Sequence, residues 1–549
     1  MASEVNIRIA GEAGQGTKTI GDILNRTLVL AGLNIFTNLD YMSRVRGGDN
    51  FVQIRASETE VFSPREEINI LVSLNPESAS IHKRFLSPDG IFLPLEPLSK
   101  IAQETGGDIY INSAAAGAVA AALGINFEHL EKVLAGIFAN KDKEIIGKNI
   151  KAARSGYELD RTIKFKLNAS PGEKKILLEG SEAIALGAIK AGVRFYSAYP
   201  MTPSTGILNN LAHYARQFNI LVEQAEDEIA AINMAIGASF AGVRAMTGTS
   251  GGGFALMNEG LSLAAMTETP VVIVEAQRPA PATGFPTRTE QGDLDYVIHA
   301  GHGEFARVVF APGSVSEAYY LTQKAFNLAD KYQIPVIILS DQHLAESVRS
   351  QIPFDLNRVK IERHLLSEEV PDYKRYRLTG SGISPRAIPG AIKTAIYADS
   401  DEHDEAGHIT EEAATRIEMV KKRFYKKMAG LKEEVLDPVP YKLPGAKILL
   451  LGFGSTHETL HEVCDYAADL KAGHIHFPQV WPFPAEKFKK MLFEGVKLIT
   501  VENNASAQLA GLIRRECGIT VFSSILRFDG RPFSLDFVLR ELKEKVKHA

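Results

Sequence analysis

Three polar stretches between residues 199 and 293 carry groups that could bind a small anion and move a proton. YPMTPSTG (199–206) packs two prolines and three hydroxyls into eight residues, with Tyr199, Pro200 and Thr202 at its head. TGTSGGGF (247–254) is a glycine loop containing Gly251. EAQRPAPATGFPTRTEQGD (275–293) puts Arg278 directly after an apolar run, then a proline- and glycine-rich loop bearing Arg288 and Gln291. Between the first two lies EDEIAAINMAIGASFAG (226–242), which carries Glu228 as its third residue and continues as an alanine- and glycine-lined helix. A carboxylate can hold or relay a proton. Arginine's planar fork suits a carboxylate substrate. Plainer readings stand beside these: an acid in a first helical turn also answers the helix dipole, Pro203 and Ser204 also make a helix start, and Arg288 also reads as a solvated surface arginine.

A second set of candidates lies near the N-terminus. GEAGQGTKT (11–19) follows the alternating strand VNIRIA. It misses two phosphate motifs narrowly: Thr17 intervenes before Lys18 where a P-loop has Lys directly after glycine, and the glycines fall as G-x-x-G-x-G, the reverse of a dinucleotide fingerprint. Glycines that let backbone N–H groups approach, followed by a helix start, still suit a phosphate. Gly14, Gln15 and Gly16 are the candidates there. Asp40 stands near the distance of a ribose-binding acid, so an NAD- or nucleotide-dependent enzyme is the rival reading. A tight turn that needs glycine for sterics alone is the other. Farther on, RVRGGDNFVQIR (44–55) sets Arg44 and Arg46 beside Gly47 and Gly48, which suits a phosphate chain or a charged surface loop.

These groups need strands and helices to hold them. Short β-branched runs alternate with helical stretches, the pattern of an α/β fold with several parallel-sheet domains. Four segments emerge: 1–170; 174–350, opening with KILLEG after the linker-like KLNASPGEKK; a connector with one surface helix over 351–445; and an α/β block over 446–549. Within the connector, HDEAGH (403–408) is charge-rich and reads as a solvated or interface segment, with a metal site as the alternative. The 549 residues carry 61 Lys and Arg against 66 Asp and Glu, for a net charge of −5. That balance argues against a general nucleic-acid or membrane-surface binder. No apolar run is long enough to span a bilayer, and the first ten residues lack the form of a signal peptide. With two distant cysteines, Cys464 and Cys517, the chain reads as cytoplasmic and free of disulfides, and it cannot hold a four-ligand iron–sulfur cluster by itself.

AYPMTPST, EDEIAAINMAIGASFAGVRAMTGTSGGGFALM and EAQRPAPATGFPT, in that order, resemble the α subunit of the 2-oxoacid:ferredoxin oxidoreductases. EHDEAGHITEE (402–412) and VENNASAQLAGLIRRE (501–516) extend the match, and GEAGQG with RVRGGDNFVQIR resembles the family's γ subunit. The chain therefore looks like a γ–α fusion, most like the 2-oxoglutarate enzymes of the family. The resemblance implies a γ-type domain associated with coenzyme A, a thiamine-diphosphate-binding domain of the pyrimidine type, and a transketolase C-terminal-like domain. Glu228 then corresponds to the acid that hydrogen-bonds the thiamine aminopyrimidine, which promotes loss of the thiazolium C2 proton. Thr202 and Arg278 correspond to the pair that holds the 2-oxoacid, and Tyr199, Pro200 and Gly251 to the thiamine pocket. Arg288 is the candidate for a distal carboxylate. Gly14, Gln15, Gly16, Arg46 and Gly47 become candidates for coenzyme A. The loop reads SGGGF where the family pattern has a proline, which alters loop stiffness at Gly252.

The implied reaction is oxidative decarboxylation of 2-oxoglutarate with coenzyme A, giving succinyl-coenzyme A, carbon dioxide and reduced ferredoxin, or the reverse carboxylation. Pyruvate and other 2-oxoacids are the alternatives within the family. Thiamine enzymes hold the diphosphate through magnesium at a Gly-Asp-Gly followed by asparagine; FDG (528–530) lacks the first glycine and comes too close to the end. No metal ligands are expected on this chain. Mg2+ and the [4Fe–4S] cluster are expected on a β subunit, in a dimer of αβ heterodimers that passes electrons to ferredoxin.

Overall fold

The continuous apolar runs become strands buried on both faces, and glycine or polar residues at their ends become the loops. In a computed structural model, residues 4–43, 47–160, 163–168, 173–366, 368 and 370–547 are described. They form two compact units. The first consists of residues up to Glu179 with Glu346–Phe354 and Phe533–Glu544, and the second of Gly180–Ala345 and Asp355–Pro532.

The first unit holds a seven-stranded sheet in the order Leu86–Leu93, Ile68–Ser73, Glu4–Ala13, Gly47–Ser57, Asn34–Asp40, Val348–Gln351, Ile176–Glu179. The first three strands run parallel. The rest pair antiparallel, because Asn34–Asp40 and Gly47–Ser57 form a hairpin that adds to the flank of Glu4–Ala13. This sheet is therefore mixed, not parallel throughout. KILLEG also belongs here: strand Ile176–Glu179 pairs with Val348–Gln351, so the stretch expected to open the second block completes the first sheet. Helix Thr17–Leu30 and the alanine-rich helix Ile111–Ala122 contribute to one apolar core with the strands.

The second unit contains two sheets. Seven strands run in the order Gln479–Trp481, Val308–Phe310, Pro335–Asp341, Val271–Gln277, Arg244–Thr249, Val193–Ala198, Leu221–Gln224. Six are parallel, and only Gln479–Trp481 is antiparallel at one edge. A five-stranded sheet follows, ordered Val439–Tyr441, Ala472–Phe477, Ile448–Phe453, Lys497–Glu502, Ser523–Leu526 and parallel except for its first strand. A single apolar core joins Ile273 and Ile337 of one sheet to Leu449 and Ile475 of the other and to Leu509 on helix Gln508–Cys517.

The connector departs from expectation. Its helical stretch Ala413–Val420 and Lys427–Glu433, with a wider-wound turn over Lys421–Lys426, keeps one face at the surface, where Ile417 and Tyr425 are exposed, but turns Lys422 and Lys427 inward, fully buried. Both ammonium groups meet Glu268, itself fully buried at positive φ, while Arg375 donates to the Glu268 carbonyl at 2.7 Å. Together they hold the Glu268 carboxyl well below the usual carboxylate range against the opposing effect of burial. His403 of the HDEAGH run is likewise buried, its ring 4.1 Å from that of Tyr376, whereas His408 is exposed. Among the described residues no helix is long and apolar enough to cross a membrane.

Candidate active site

Strands Leu221–Gln224, Val193–Ala198, Arg244–Thr249 and Val271–Gln277 lie side by side in parallel, so their C-terminal loops gather at one edge. That edge is where open parallel sheets bind ligands. Helix Glu228–Phe240 starts there. Asp227 caps it, its side chain accepting from the Ala230 N–H at 2.7 Å. Glu228 is thereby set in the first turn, where the helix dipole favours a carboxylate. It is only 3% exposed, and its Oε1 has no hydrogen-bond partner among the described residues. A buried polar oxygen left unpaired costs stability unless a ligand satisfies it.

Gly253 makes room for this carboxyl. A Cβ there would lie 2.4 Å from Glu228 Oε1 and 2.0 Å from Thr249 Oγ1. Across the gap, Arg278 leaves strand Val271–Gln277 and donates from Nη1 to the Thr202 carbonyl at 2.8 Å. Burial works against the charge on Arg278, and the charge of Glu228 works in its favour. Glu228, Thr202 and Arg278 are thus brought together. Thr249 Oγ1 also reaches Met201 Sδ at 3.8 Å, tying the 199–206 loop to the neighbouring strand end. Tyr199 is exposed and Pro200 half-buried on that loop. Gly251 packs on Asp293, whose Oδ2 would be 2.4 Å from an added Cβ, whereas at Gly252 the nearest atom is the Ala282 carbonyl oxygen at 4.0 Å. Arg288 is half-buried with its stem against Gly530.

A second set of carboxyls escaped the sequence reading. Glu275 is fully buried at register with Thr249, and neither of its carboxyl oxygens has a partner among the described residues. Burial, reinforced by Asp293 and Asp341, pushes its pKa well above the ordinary value. Burial also pushes Asp293 up to about 6 and Glu290 up to about 7, the latter helped by Asp293. The available signal was an acid two residues from the end of an apolar run, followed by two more acids in TEQGD.

The first unit presents a separate cleft at the C-terminal ends of its parallel strands. Gly14 and Gly16 both take positive φ, and Gly16 opens helix Thr17–Leu30, whose first turn contains no acid. Gln15 Oε1 accepts from the Glu12 N–H at 2.7 Å and from Asn75 Nδ2 at 2.9 Å. A cavity of roughly 500 Å³ is lined by Gly14, Gln15, Ser99, Asp108, Ile109 and Asn112. A cleft of roughly 940 Å³ shares Leu95 and Ser99 with it and adds Lys83 and Lys100. Gly47 has positive φ with open space around it; Arg44 and Arg46 lie outside the described residues. The antiparallel strand Gly47–Ser57 separates Asp40 from strand Glu4–Ala13, so Asp40 does not stand on the adjacent parallel strand of a dinucleotide unit.

Comparison with known proteins agrees along the whole chain. Residues 186–422 match the family model "Pyruvate flavodoxin/ferredoxin oxidoreductase, thiamine diP-bdg". Residues 6–159 match "Pyruvate ferredoxin/flavodoxin oxidoreductase" and residues 446–536 match "Pyruvate:ferredoxin oxidoreductase core domain II". The 2-oxoacid:ferredoxin oxidoreductase subunit alpha of a Sulfolobus species is 33% identical, covering 98% of this chain and 96% of its own. The 2-oxoglutarate synthase subunit KorA of Methanocaldococcus jannaschii is 35% identical over 62% of this chain and 91% of its own. The solved structure of 2-oxoglutarate:ferredoxin oxidoreductase from Magnetococcus marinus, with 2-oxoglutarate, coenzyme A and succinyl-CoA bound, superposes with a TM-score of 0.92 at 31% identity, covering 99% of this chain and all of that one. With fold, strand-end loops and full-length likeness in agreement, the chain belongs to the 2-oxoacid:ferredoxin oxidoreductases, as an oxidoreductase subunit of the alpha type.

Proposed function

We propose that this subunit supplies half of the active site of a 2-oxoglutarate:ferredoxin oxidoreductase. The observation that carries the reading is the buried, unpartnered Glu228 carboxyl facing the space left by Gly253, beside the Arg278–Thr202 contact. A ring N–H of thiamine would satisfy Glu228 Oε1, and the room left by Gly253 and the acceptor chemistry of a carboxylate fit that group. When bound, thiamine diphosphate supplies the carbon nucleophile that attacks the 2-oxo carbon. Glu228 would hold a proton at a nitrogen of the pyrimidine ring. Arg278 offers donors to the substrate carboxylate, and the Thr202 segment keeps that guanidinium in place. Tyr199, Pro200 and Gly251 line the same strand end, and Arg288 is the group on this chain for a distal carboxylate.

The choice of 2-oxoglutarate follows the KorA relatives and the ligands of the Magnetococcus structure. Coenzyme A is assigned to the first unit. The glycine loop at 14–16, with Gly47 paired to Ala13 across the sheet and Arg46 next to Gly47 in sequence, would take its diphosphate, and Lys83 and Lys100 offer charge to a further phosphate. The other half of the site, with Mg2+ and a [4Fe–4S] cluster, is assigned to a β subunit. Helix Glu228–Phe240 supports this: it is apolar nearly all round yet leaves Ile229 and Met234 exposed beside the site, with Leu256 on the next helix. Electrons then leave to ferredoxin, and the complex works in the cytoplasm.

The test is co-purification with the β subunit followed by 2-oxoacid- and coenzyme-A-dependent reduction of a viologen dye. Glu228→Ala is expected to lower turnover at least 100-fold with the complex intact. Full activity in that variant, or 2-oxoacid oxidation by this chain alone, would overturn the reading. Preference for pyruvate would overturn the choice of substrate only.

A further inference from the structure

Residues 279–288 form a loop without helix or strand that begins at Arg278. Ala280–Phe285 is exposed, and the loop closes on itself where the Phe285 N–H donates to the Pro279 carbonyl at 3.2 Å. The loop has no regular ladder of its own, yet the guanidinium at its root must hold its place. The restraint comes from buried side-chain amides on the returning strand of the loop. Gln291 is completely buried, and all four of its polar groups are engaged. Its Nε2 donates to the Phe453 carbonyl at 2.8 Å. Its Oε1 accepts from the Asn503 N–H at 3.1 Å. Its backbone N–H donates to the Asn503 carbonyl at 2.7 Å, and its own carbonyl accepts from Asn504 Nδ2 at 3.1 Å.

The pattern continues on either side. Gln508 Nε2 donates to the Gly292 carbonyl at 2.7 Å, and its Oε1 accepts from the Asp295 N–H at 3.0 Å. Asn503 Nδ2 is itself fixed by the Arg527 carbonyl at 2.7 Å. At the root of the loop, Gln277 Oε1 accepts from the Asp293 N–H at 3.0 Å while its Nε2 donates to the Ser340 carbonyl at 3.1 Å. Thus both ends of the loop are gripped. One end is held within the seven-stranded sheet through Gln277. The other is held by Phe453, the last residue of strand Ile448–Phe453, and by Asn503, Asn504 and Gln508, which follow strand Lys497–Glu502 of the five-stranded sheet. Amides carry no charge, donate and accept at once, and keep their bonds at any working pH.

We propose that Gln291 is a positioning residue for the keto-acid grip: through it, the NNASAQ segment (503–508) of the five-stranded sheet fixes where the 279–288 loop, and with it the Arg278 guanidinium, stands. The proposal rests on the assignment of Arg278 to the substrate carboxylate. It gives the last α/β block an indirect part in substrate binding.

The experiment uses the αβ complex and measures KM for 2-oxoglutarate and for coenzyme A separately, at pH 6 and pH 8. Gln291→Ala is expected to raise the 2-oxoglutarate KM about tenfold or more and leave the coenzyme A KM within twofold. Gln291→Glu gives a signature that general destabilisation does not. Buried carboxyls resist ionisation, so a neutral acid at pH 6 can still donate to the Phe453 carbonyl, whereas a carboxylate at pH 8 repels it. Because Glu290 and Asp293 beside it also titrate in this window, the comparison is with the parent at each pH: the KM of that variant should approach the parent's at pH 6 and exceed it at pH 8. Should Gln291→Ala fail to assemble, Gln508→Ala, at a half-buried position, must raise the same KM at least threefold. A 2-oxoglutarate KM within twofold of the parent's in these variants, or a pH-independent Gln291→Glu, overturns the proposal. Arg278→Lys, measured alongside, separates the two levels. If it raises KM while the amide variants do not, only the positioning role falls; if it leaves KM unchanged, the keto-acid reading falls and takes this proposal with it.

Discussion

Adding one methyl group at residue 253 should switch the site off while leaving the chain folded. In the parent, the position of an alanine Cβ lies 2.4 Å from Glu228 Oε1 and 2.0 Å from Thr249 Oγ1. To reach 3.4 Å, where ordinary contact begins, the carboxyl oxygen must retreat about 1 Å and the hydroxyl about 1.4 Å. The Glu228 oxygen ends a side chain that can rotate, but Thr249 Oγ1 sits on the Cβ of a fully buried residue, so the strain belongs in the middle of the overpacking range, about 2 kcal/mol. A misplacement of about 1 Å in a reacting group costs roughly 100-fold in rate, or about 2.7 kcal/mol of barrier. Gly253→Ala is therefore expected to lose about 100-fold in kcat with a drop of about 4–8 °C in Tm. The assay is dye reduction by the αβ complex at saturating 2-oxoacid, with thermal melting of the chain alone. Gly252→Ala is the stability comparison: nothing lies closer than 4.0 Å in helix Gly251–Leu256, so relief of glycine's helix penalty should raise Tm. A folded Gly253→Ala enzyme with kcat within threefold of the parent would refute the claim that turnover depends on where Glu228 stands.

Glu290→Gln should become more stable relative to the parent as pH rises from 5 to 8. The folded chain raises this carboxyl to about 7, above its unfolded value of about 4.3, so the native state loses stability as the acid ionises and glutamine escapes that loss. A Tm difference that does not vary with pH would contradict it. Glu268→Ala leaves the ammonium groups of Lys422 and Lys427 buried without their carboxylate; calorimetry should show a loss of about 3–5 kcal/mol, and a loss below about 1 kcal/mol would disprove the role given to that carboxylate. Replacing both Lys83 and Lys100 by alanine should raise the coenzyme A KM about tenfold, the worth of one charge-assisted hydrogen bond to phosphate, and leave the 2-oxoacid KM alone. An unchanged coenzyme A KM would argue for a different phosphate site.

What the sequence made legible were the features that local chemistry dictates. VVIVEAQ and PVIILSD read as buried strands because apolar runs of that length have nowhere else to go, and both lie at the centre of the seven-stranded sheet. Glu228, Thr202 and Arg278 stand out through the family resemblance, since Glu228 alone reads as a helix-cap acid; the structure sets Arg278 on the Thr202 carbonyl and within the field of Glu228. What stayed hidden depends on partners distant in the chain. Gly253 reads as one more flexible glycine until Glu228 and Thr249 are seen against it. The partnership of Gln291 with Asn503 spans 212 residues and leaves no periodic trace. The KKRFYKK run was read as surface because lysines are ordinarily solvated; Glu268, more than 150 residues earlier, draws two of them inside. That strand Ile176–Glu179 completes the first sheet is not legible in the sequence, because Val348–Gln351, its strand partner among the described residues, is too short to announce itself.

That last pairing carries a consequence for any attempt to separate the N-terminal portion as a free-standing protein. A fragment truncated near residue 173 would lose both Val348–Gln351 and Ile176–Glu179, and Asn34–Asp40 would be left with bare N–H and C=O groups along its outer side. Such an unprotected rim invites adventitious strand pairing and precipitation. Supplying a peptide spanning 346–354 should cap the rim, so solubility of the truncated piece becomes a direct reading of how firmly that late segment is woven into the early one.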